Sequence, residues 1–134
     1  ATHTGGKLES LRKILDMNPQ SIKAWRALLL LHLRSKNFVD AASIAEALVR
    51  IQPNRDFFLF VSGLLFYRIG NMEKALNYAD RLTLRNWGAE RYLILLGRIH
   101  EARRDEAGMR EAGMLLLELI PDHAYGKKLL EEIR

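Results

Sequence analysis

The chain has no cysteine in its 134 residues, so disulfides, thiolate metal sites and cysteine nucleophiles are excluded together. That absence leaves the compartment open, because a cysteine-free chain suits cytoplasm and bacterial periplasm alike. Long apolar runs are also missing. The longest, residues 57–67, covers 11 residues, about half of the roughly 20 that a membrane-spanning helix needs. No strand-like alternation of any length occurs, and the few glycines and prolines stand at turns rather than in runs, which argues against sheet, flexible linker and low-complexity segments. What remains, 49% hydrophobic and 28% charged, is the composition of one soluble globular domain.

Proline is so scarce that its spacing is informative. Pro19 and Pro53 lie 34 residues apart and Pro53 and Pro121 lie 68 apart, with Trp87 at the place between them. Other positions keep the same step: Leu48, Leu82 and Leu116, preceded by Ile14; Leu31, Leu65 and Ile99; Gly63 and Gly97; Ala41 and Ala75; Ala45, Ala79 and Gly113. The large apolar set reads as a recurring core contact, and the small set marks places where two helix backbones approach closely. A period of this length means stacked helical units that present an extended surface, rather than one core wrapped around a pocket.

Apolar spacing and turn residues predict helices at 7–17, 21–34, 38–51, 55–69, 72–85, 89–102, 106–119 and 123–133. Asn37, Asn71 and Asp105 share one place in the repeat and are expected to cap the second helix of each unit, accepting from its free first-turn N–H groups. The proline that follows each second helix lacks an N–H and stops or redirects it.

These features resemble the tetratricopeptide repeat, a 34-residue helix-turn-helix unit with a large apolar residue early, then leucine-glycine, an aromatic, a small residue after the turn, and proline. The first unit matches with Trp25, Leu28, Ala41, Ala45 and Pro53, although Leu29 replaces the glycine. The second matches with Leu59, Gly63, Phe66, Ala75 and Ala79, with Trp87 for proline. The third has Leu93, Leu96, Gly97 and Pro121, with Met109 and Gly113 departing from the pattern. The resemblance implies an all-α, right-handed superhelical solenoid over 1–134: a tail and half-repeat helix at 1–18, repeats at 19–53, 54–87 and 88–121, and a C-terminal capping helix at 122–134.

The repeat frame absorbs most residues that could suggest catalysis. His32 and His100 lie two periods apart with Phe66 midway, which makes them packing residues. No histidine pair has the i, i+4 spacing of a helical zinc site. Gly5-Gly6-Lys7 resembles the end of a phosphate-binding loop but lacks its upstream glycine, its Ser or Thr and its strand. Glu73, Asp80, Glu111 and Glu118 read as a solvated helix face with i, i+4 pairs. The sequence therefore points away from an enzyme, and no cofactor is implied.

In the family the first helices line a concave wall, and the groove-facing places are spaced 3, 4 and 3 apart, one stripe of a helix. Carried over, the stripe comprises Lys23, Arg26, Leu30 and Leu33, then Phe57, Phe60, Leu64 and Tyr67, then Arg91, Ile94, Arg98 and Glu101. An apolar centre with a basic rim suits a protein or peptide partner with apolar anchors and acidic flanks. The alternative for Phe57, Phe60 and Tyr67 is burial, since residues 56–69 are apolar nearly all round. The lysine and asparagine set with which related domains clamp heat-shock chaperone tails is not kept: the places read Arg26, Leu30, Val61, Arg91 and Leu95. RNA binding is a second reading, on a net charge of +5, a pI of 9.7 and 14 arginines to 7 lysines, and self-association without a peptide ligand is a third. The arginines do not recur at one place per unit, which disfavours base-by-base readout.

The ends carry two further expectations. The first helix is the second half of a unit whose first half is missing, so Leu8, Leu11 and Leu15 should have an uncovered side, and a longer parent would supply repeats or a membrane-attached segment upstream. The last helix should be a polar cap with Leu130 and Ile133 inward and Glu131 and Glu132 outward.

Overall fold

The computed structural model describes residues 3–82 and 88–133. Among these it forms eight α-helices and no strand: α1 (His3–Met17), α2 (Ile22–Arg34), α3 (Phe38–Ile51), α4 (Asp56–Arg68), α5 (Met72–Asp80), α6 (Ala89–Arg103), α7 (Glu106–Leu119) and α8 (Ala124–Glu131). Each helix packs on the next in the chain, and α4 touches α6 as α6 touches α8. The arrangement is a sequential, repeat-like stack of antiparallel helical hairpins. Two helix bounds differ clearly from the sequence expectation. The first helix begins at His3 rather than residue 7. The fifth ends at Asp80 rather than 85, with Leu82 buried beyond its end, and the Trp87 place lies outside the described residues.

The turns repeat more strictly than the residues that build them. Lys36, Gly70 and Arg104, spaced 34 apart, all have positive φ, at 57°, 90° and 56°. Each sits in the same pair of hydrogen bonds. The next residue's N–H donates five residues back (Asn37 to His32 O, Asn71 to Phe66 O, Asp105 to His100 O, 2.8–2.9 Å), while the left-handed residue's own N–H donates three back at 3.1 Å. This is a Schellman closure of the preceding helix. Only the middle turn uses glycine, so the conserved geometry is hidden behind lysine and arginine in the other two.

The capping residues follow at once. Asn71 accepts from Lys74 N and Asp105 from Gly108 N, both at 3.1 Å. Asn37 occupies the N-cap place but makes no side-chain cap; its amide turns back to His32, Nδ2 to Nδ1 3.4 Å. Ser21 caps α2, and His123 Nδ1 accepts from Gly126 N to cap α8. Each proline stands two residues past a helix end, after Met17, Ile51 and Leu119. Asn18, Gln52 and Ile120, one residue before each, donate to Ile14 O, Leu48 O and Leu116 O.

The recurring apolar and small residues form the seams. Leu48 and Leu116 are fully buried, as are Ala41, Ala75 and Ala79. Glycine decides how near neighbouring first helices come. A Cβ on Gly63 would meet Leu95 Cδ2 at 3.2 Å, and one on Gly97 would meet Leu129 Cδ1 at 2.8 Å and Tyr125 Cε2 at 2.9 Å. In the first unit the same place holds Leu29, and α2 and α4 nowhere bring Cα atoms within 8 Å. A leucine where the other units have glycine holds α2 off and opens the stack at that point.

The ends differ in detail from expectation. Leu8, Leu11 and Leu15 face inward against the core, while Ile14 and Met17 carry the uncovered side. In α8 the deepest anchor is Leu129, fully buried, with Leu130 and Ile133 only partly covered and Glu131 and Glu132 exposed. Tyr125 and Leu129 pack over Gly97, so α8 continues the row of α4 and α6 rather than simply covering an end.

Candidate functional site

The stripe residues lie on α2, α4 and α6, and none of the twelve is buried. In α4 the division is clean despite its apolar sequence. Phe58, Leu59, Ser62, Gly63, Leu65 and Phe66 are buried, whereas Phe57 and Leu64 are exposed and Phe60 and Tyr67 half-buried. Spacing explains the difference. Residues 58, 59, 62, 65 and 66 face the flanking helices, and 57, 60, 64 and 67 share the less buried side of α4. Phe60, Tyr67 and Leu33 rest their inner edges on the core.

Among the described residues, two depressions lie along this surface. The first is an apolar groove of about 290 Å³ lined by Arg26, Ala27, Leu29, Leu30, Leu33 and Phe57. It opens where Leu29 separates α2 from α4. Leu30 is 48% exposed and Phe57 39%, so both offer apolar surface that a partner would remove from water. Arg26, exposed, stands at its edge, with Lys23 exposed on the preceding turn.

The second depression, about 420 Å³, is polar and lined by Tyr67, Arg98, Glu101, Ala102, Tyr125 and Lys128. Here α8 already engages the stripe. Tyr125 donates its hydroxyl to Glu101 Oε1 at 2.8 Å, and the Arg98 guanidinium lies 5.8 Å from the Tyr125 ring centre. Burial and then the Glu101 hydrogen bond push the Tyr125 phenol well above its ordinary range. Ile94 packs partly into the α6–α8 core and Arg91 stays exposed. The stripe thus divides into an apolar half on α2 and α4 and a polar half on α6 that shares its groups with α8.

Tyr125 and Lys128 were not among the residues expected to line the surface. The signal for them is present, because Tyr125 lies 34 residues after Arg91 and Lys128 lies 34 after Ile94. Continuing the stripe by one unit finds both.

His32 and His100 lie in the last turns of α2 and α6, and His123 stands at the N-cap of α8. His32 meets Asn37, and His100 Nδ1 lies 3.3 Å from Asp105 Oδ2 but outside hydrogen-bonding geometry. The Gly108 N–H, donated to Asp105 at the start of α7, holds that carboxyl below its usual range. His123 Nε2 lies 3.3 Å from Glu90. Among the described residues no group of three or more metal-ligating side chains converges, and no helix is long and apolar enough to cross a membrane. The chain matches no family model and no curated protein.

Proposed function

We propose that the chain is a solenoid of tetratricopeptide type that holds a protein partner in a concave groove on α2, α4 and α6, as a scaffold, adaptor or chaperone within a larger assembly. The observation that carries this reading is the apolar groove lined by Leu29, Leu30, Leu33 and Phe57 between α2 and α4. Apolar anchors that fill such a recess supply most of the energy of peptide capture, and Arg26 in its lining favours an acidic flank. The 34-residue recurrence of the Schellman turns supports the repeat itself.

Selection from a displayed peptide library tests the reading. Immobilised wild-type chain should enrich a motif of two or more apolar residues with acidic neighbours, and Leu30→Glu with Phe57→Glu should abolish that enrichment while leaving the helical spectrum unchanged. Binding should weaken only modestly with salt. A steep, linear fall of log affinity with log salt would mark phosphate neutralisation and favour a nucleic-acid ligand instead. Enrichment that survives both substitutions would place binding elsewhere on the chain.

A further inference from the structure

Another recess lies between α5 and α7, away from the groove, and the preceding seam holds the side chains that it lacks. Between α3 and α5, the Glu46 carboxylate is held by Lys74 Nζ at 3.1 and 3.2 Å and by the Tyr78 hydroxyl at 2.5 Å. The Tyr78 ring stacks on Phe66 at 5.8 Å, and the Lys74 ammonium lies 5.0 Å from the centre of the Phe66 ring. One repeat later the same four places hold Asp80, Gly108, Ala112 and His100. The carboxylate is kept, while the ammonium and the phenol are deleted.

The His100 ring takes the place beside Gly108, where a Cβ would run into it, and the space left over is a pocket of about 330 Å³, lined by Asp80, Gly108 and Ala112 themselves and by Tyr92, His100, Glu111 and Leu115, among others. Among the described residues, no side chain forms an ion pair or hydrogen bond with Asp80 or Glu111, and the i, i+4 pairs expected on this face do not form. Arg81, next to Asp80, is turned away: its guanidinium lies over Tyr78 and reaches Pro53 O at 3.5 Å. Asp80 is also the last residue of α5, where the helix's own carbonyl ends add negative potential. The fields of both carboxylates reach Tyr92 and, after burial, help to raise its phenol above the ordinary range. Below the pocket, Leu115 and Leu119 continue the line of Glu111 along α7 and are 40% and 50% exposed.

We infer that this pocket takes a lysine side chain from a protein partner, its ammonium between Asp80 and Glu111 and its neighbouring apolar residue on Leu115 and Leu119. The partner's lysine occupies the space that Tyr78 fills one unit earlier, beside the His100 ring, and the carboxylate that is satisfied internally at Glu46 is satisfied externally at Asp80. The apolar floor of Leu93, Leu96 and Ala112 suits the lysine stem.

The test uses Nα-acetyl-lysine methylamide as the probe, followed by amide NMR of the whole chain, with the Nα,Nε-diacetyl compound as the uncharged control. The lysine probe should move the amides of Gly108, Glu111, Ala112 and Leu115 at millimolar concentration, and the control should bind at least tenfold more weakly. Asp80→Asn with Glu111→Gln should remove the difference between the two compounds. Ala112→Tyr restores the ring that Tyr78 supplies one unit earlier and should block the lysine probe in a folded chain. Equal shifts from both compounds, no shift at these amides up to tens of millimolar, or unchanged binding to the refilled variant would each overturn the inference. None of these variants alters Leu30 or Phe57, so failure here leaves the groove reading standing.

Discussion

Lys36 and Arg104 are held at φ of 57° and 56° in turns whose third member is Gly70, which makes glycine substitution a direct test of the shared turn. A left-handed conformation costs an L-residue about 1–2 kcal/mol. Glycine avoids that cost but loses about 0.5–1 kcal/mol more backbone entropy on folding. The balance predicts that Lys36→Gly and Arg104→Gly each stabilise the chain by about 0.5–1 kcal/mol, and that the two add because the turns are separate. Lys36→Ala serves as the control for the loss of a cation near a helix C-terminus, which on its own is worth about 0.3–1 kcal/mol. The reverse change, Gly70→Lys, should cost about 0.5–1 kcal/mol by the same balance. A Cβ at Gly70 meets nothing within 4 Å, so no steric clash adds to that loss. Urea unfolding followed by circular dichroism reads each variant as a shift in midpoint at unchanged slope. If both glycine variants are neutral and Gly70→Lys is silent, the three turns do not share a left-handed closure and the structural repeat loses its firmest support.

Leu48→Ala and Leu116→Ala remove fully buried seam residues and should each cost about 2–5 kcal/mol. Leu30→Glu and Leu64→Glu, on exposed stripe positions, should stay within about 1 kcal/mol in the same unfolding assay; a loss as large as that of Leu48→Ala would show the stripe to be core. Ser62 is fully buried and, among the described residues, its hydroxyl has no hydrogen-bond partner, so Ser62→Ala should raise stability by about 1 kcal/mol, and a marked loss would reveal a partner for the hydroxyl. Burial and the Glu46 hydrogen bond push the Tyr78 phenol from 10.0 up to about 12. Because the folded value is the higher, its stabilising contribution is complete below pH 10 and is lost as pH rises towards 12. Tyr78→Phe should flatten that part of the stability profile, and an unchanged alkaline slope would contradict the assignment.

Much of the helix order was legible because proline, the small residues and the recurring leucines carry the 34-residue step in side chains that packing requires. The turns were less legible. A left-handed closure needs only the conformation, and lysine and arginine adopt it at Lys36 and Arg104 without the glycine that marks Gly70. The apolar sequence of α4 left burial and exposure open for Phe57, Phe60 and Tyr67, because composition does not say which side lacks a neighbour; the packing of α3, α5 and α6 around it decides that. Leu29 was readable as a departure from the glycine pattern, but its consequence, a gap between α2 and α4 with an apolar groove in it, depends on tertiary spacing. The pocket beside Asp80 was harder still to foresee. It arises from residues that are absent, and Gly108 and Ala112 become informative only beside the Lys74 and Tyr78 contacts of the preceding unit.

The most direct test of the groove places a photo-crosslinking residue at Leu30, Phe57 or Leu64 in the chain expressed in its native host, with Val39 and Ser43, exposed on α3, as comparison positions. The account predicts that the three groove positions join one and the same protein partner, that the crosslink maps to an apolar segment of it, and that Val39 and Ser43 do not capture it. Equal capture from α3, or crosslinks from the groove that lead only to nucleic acid or to a second copy of the chain, would contradict it.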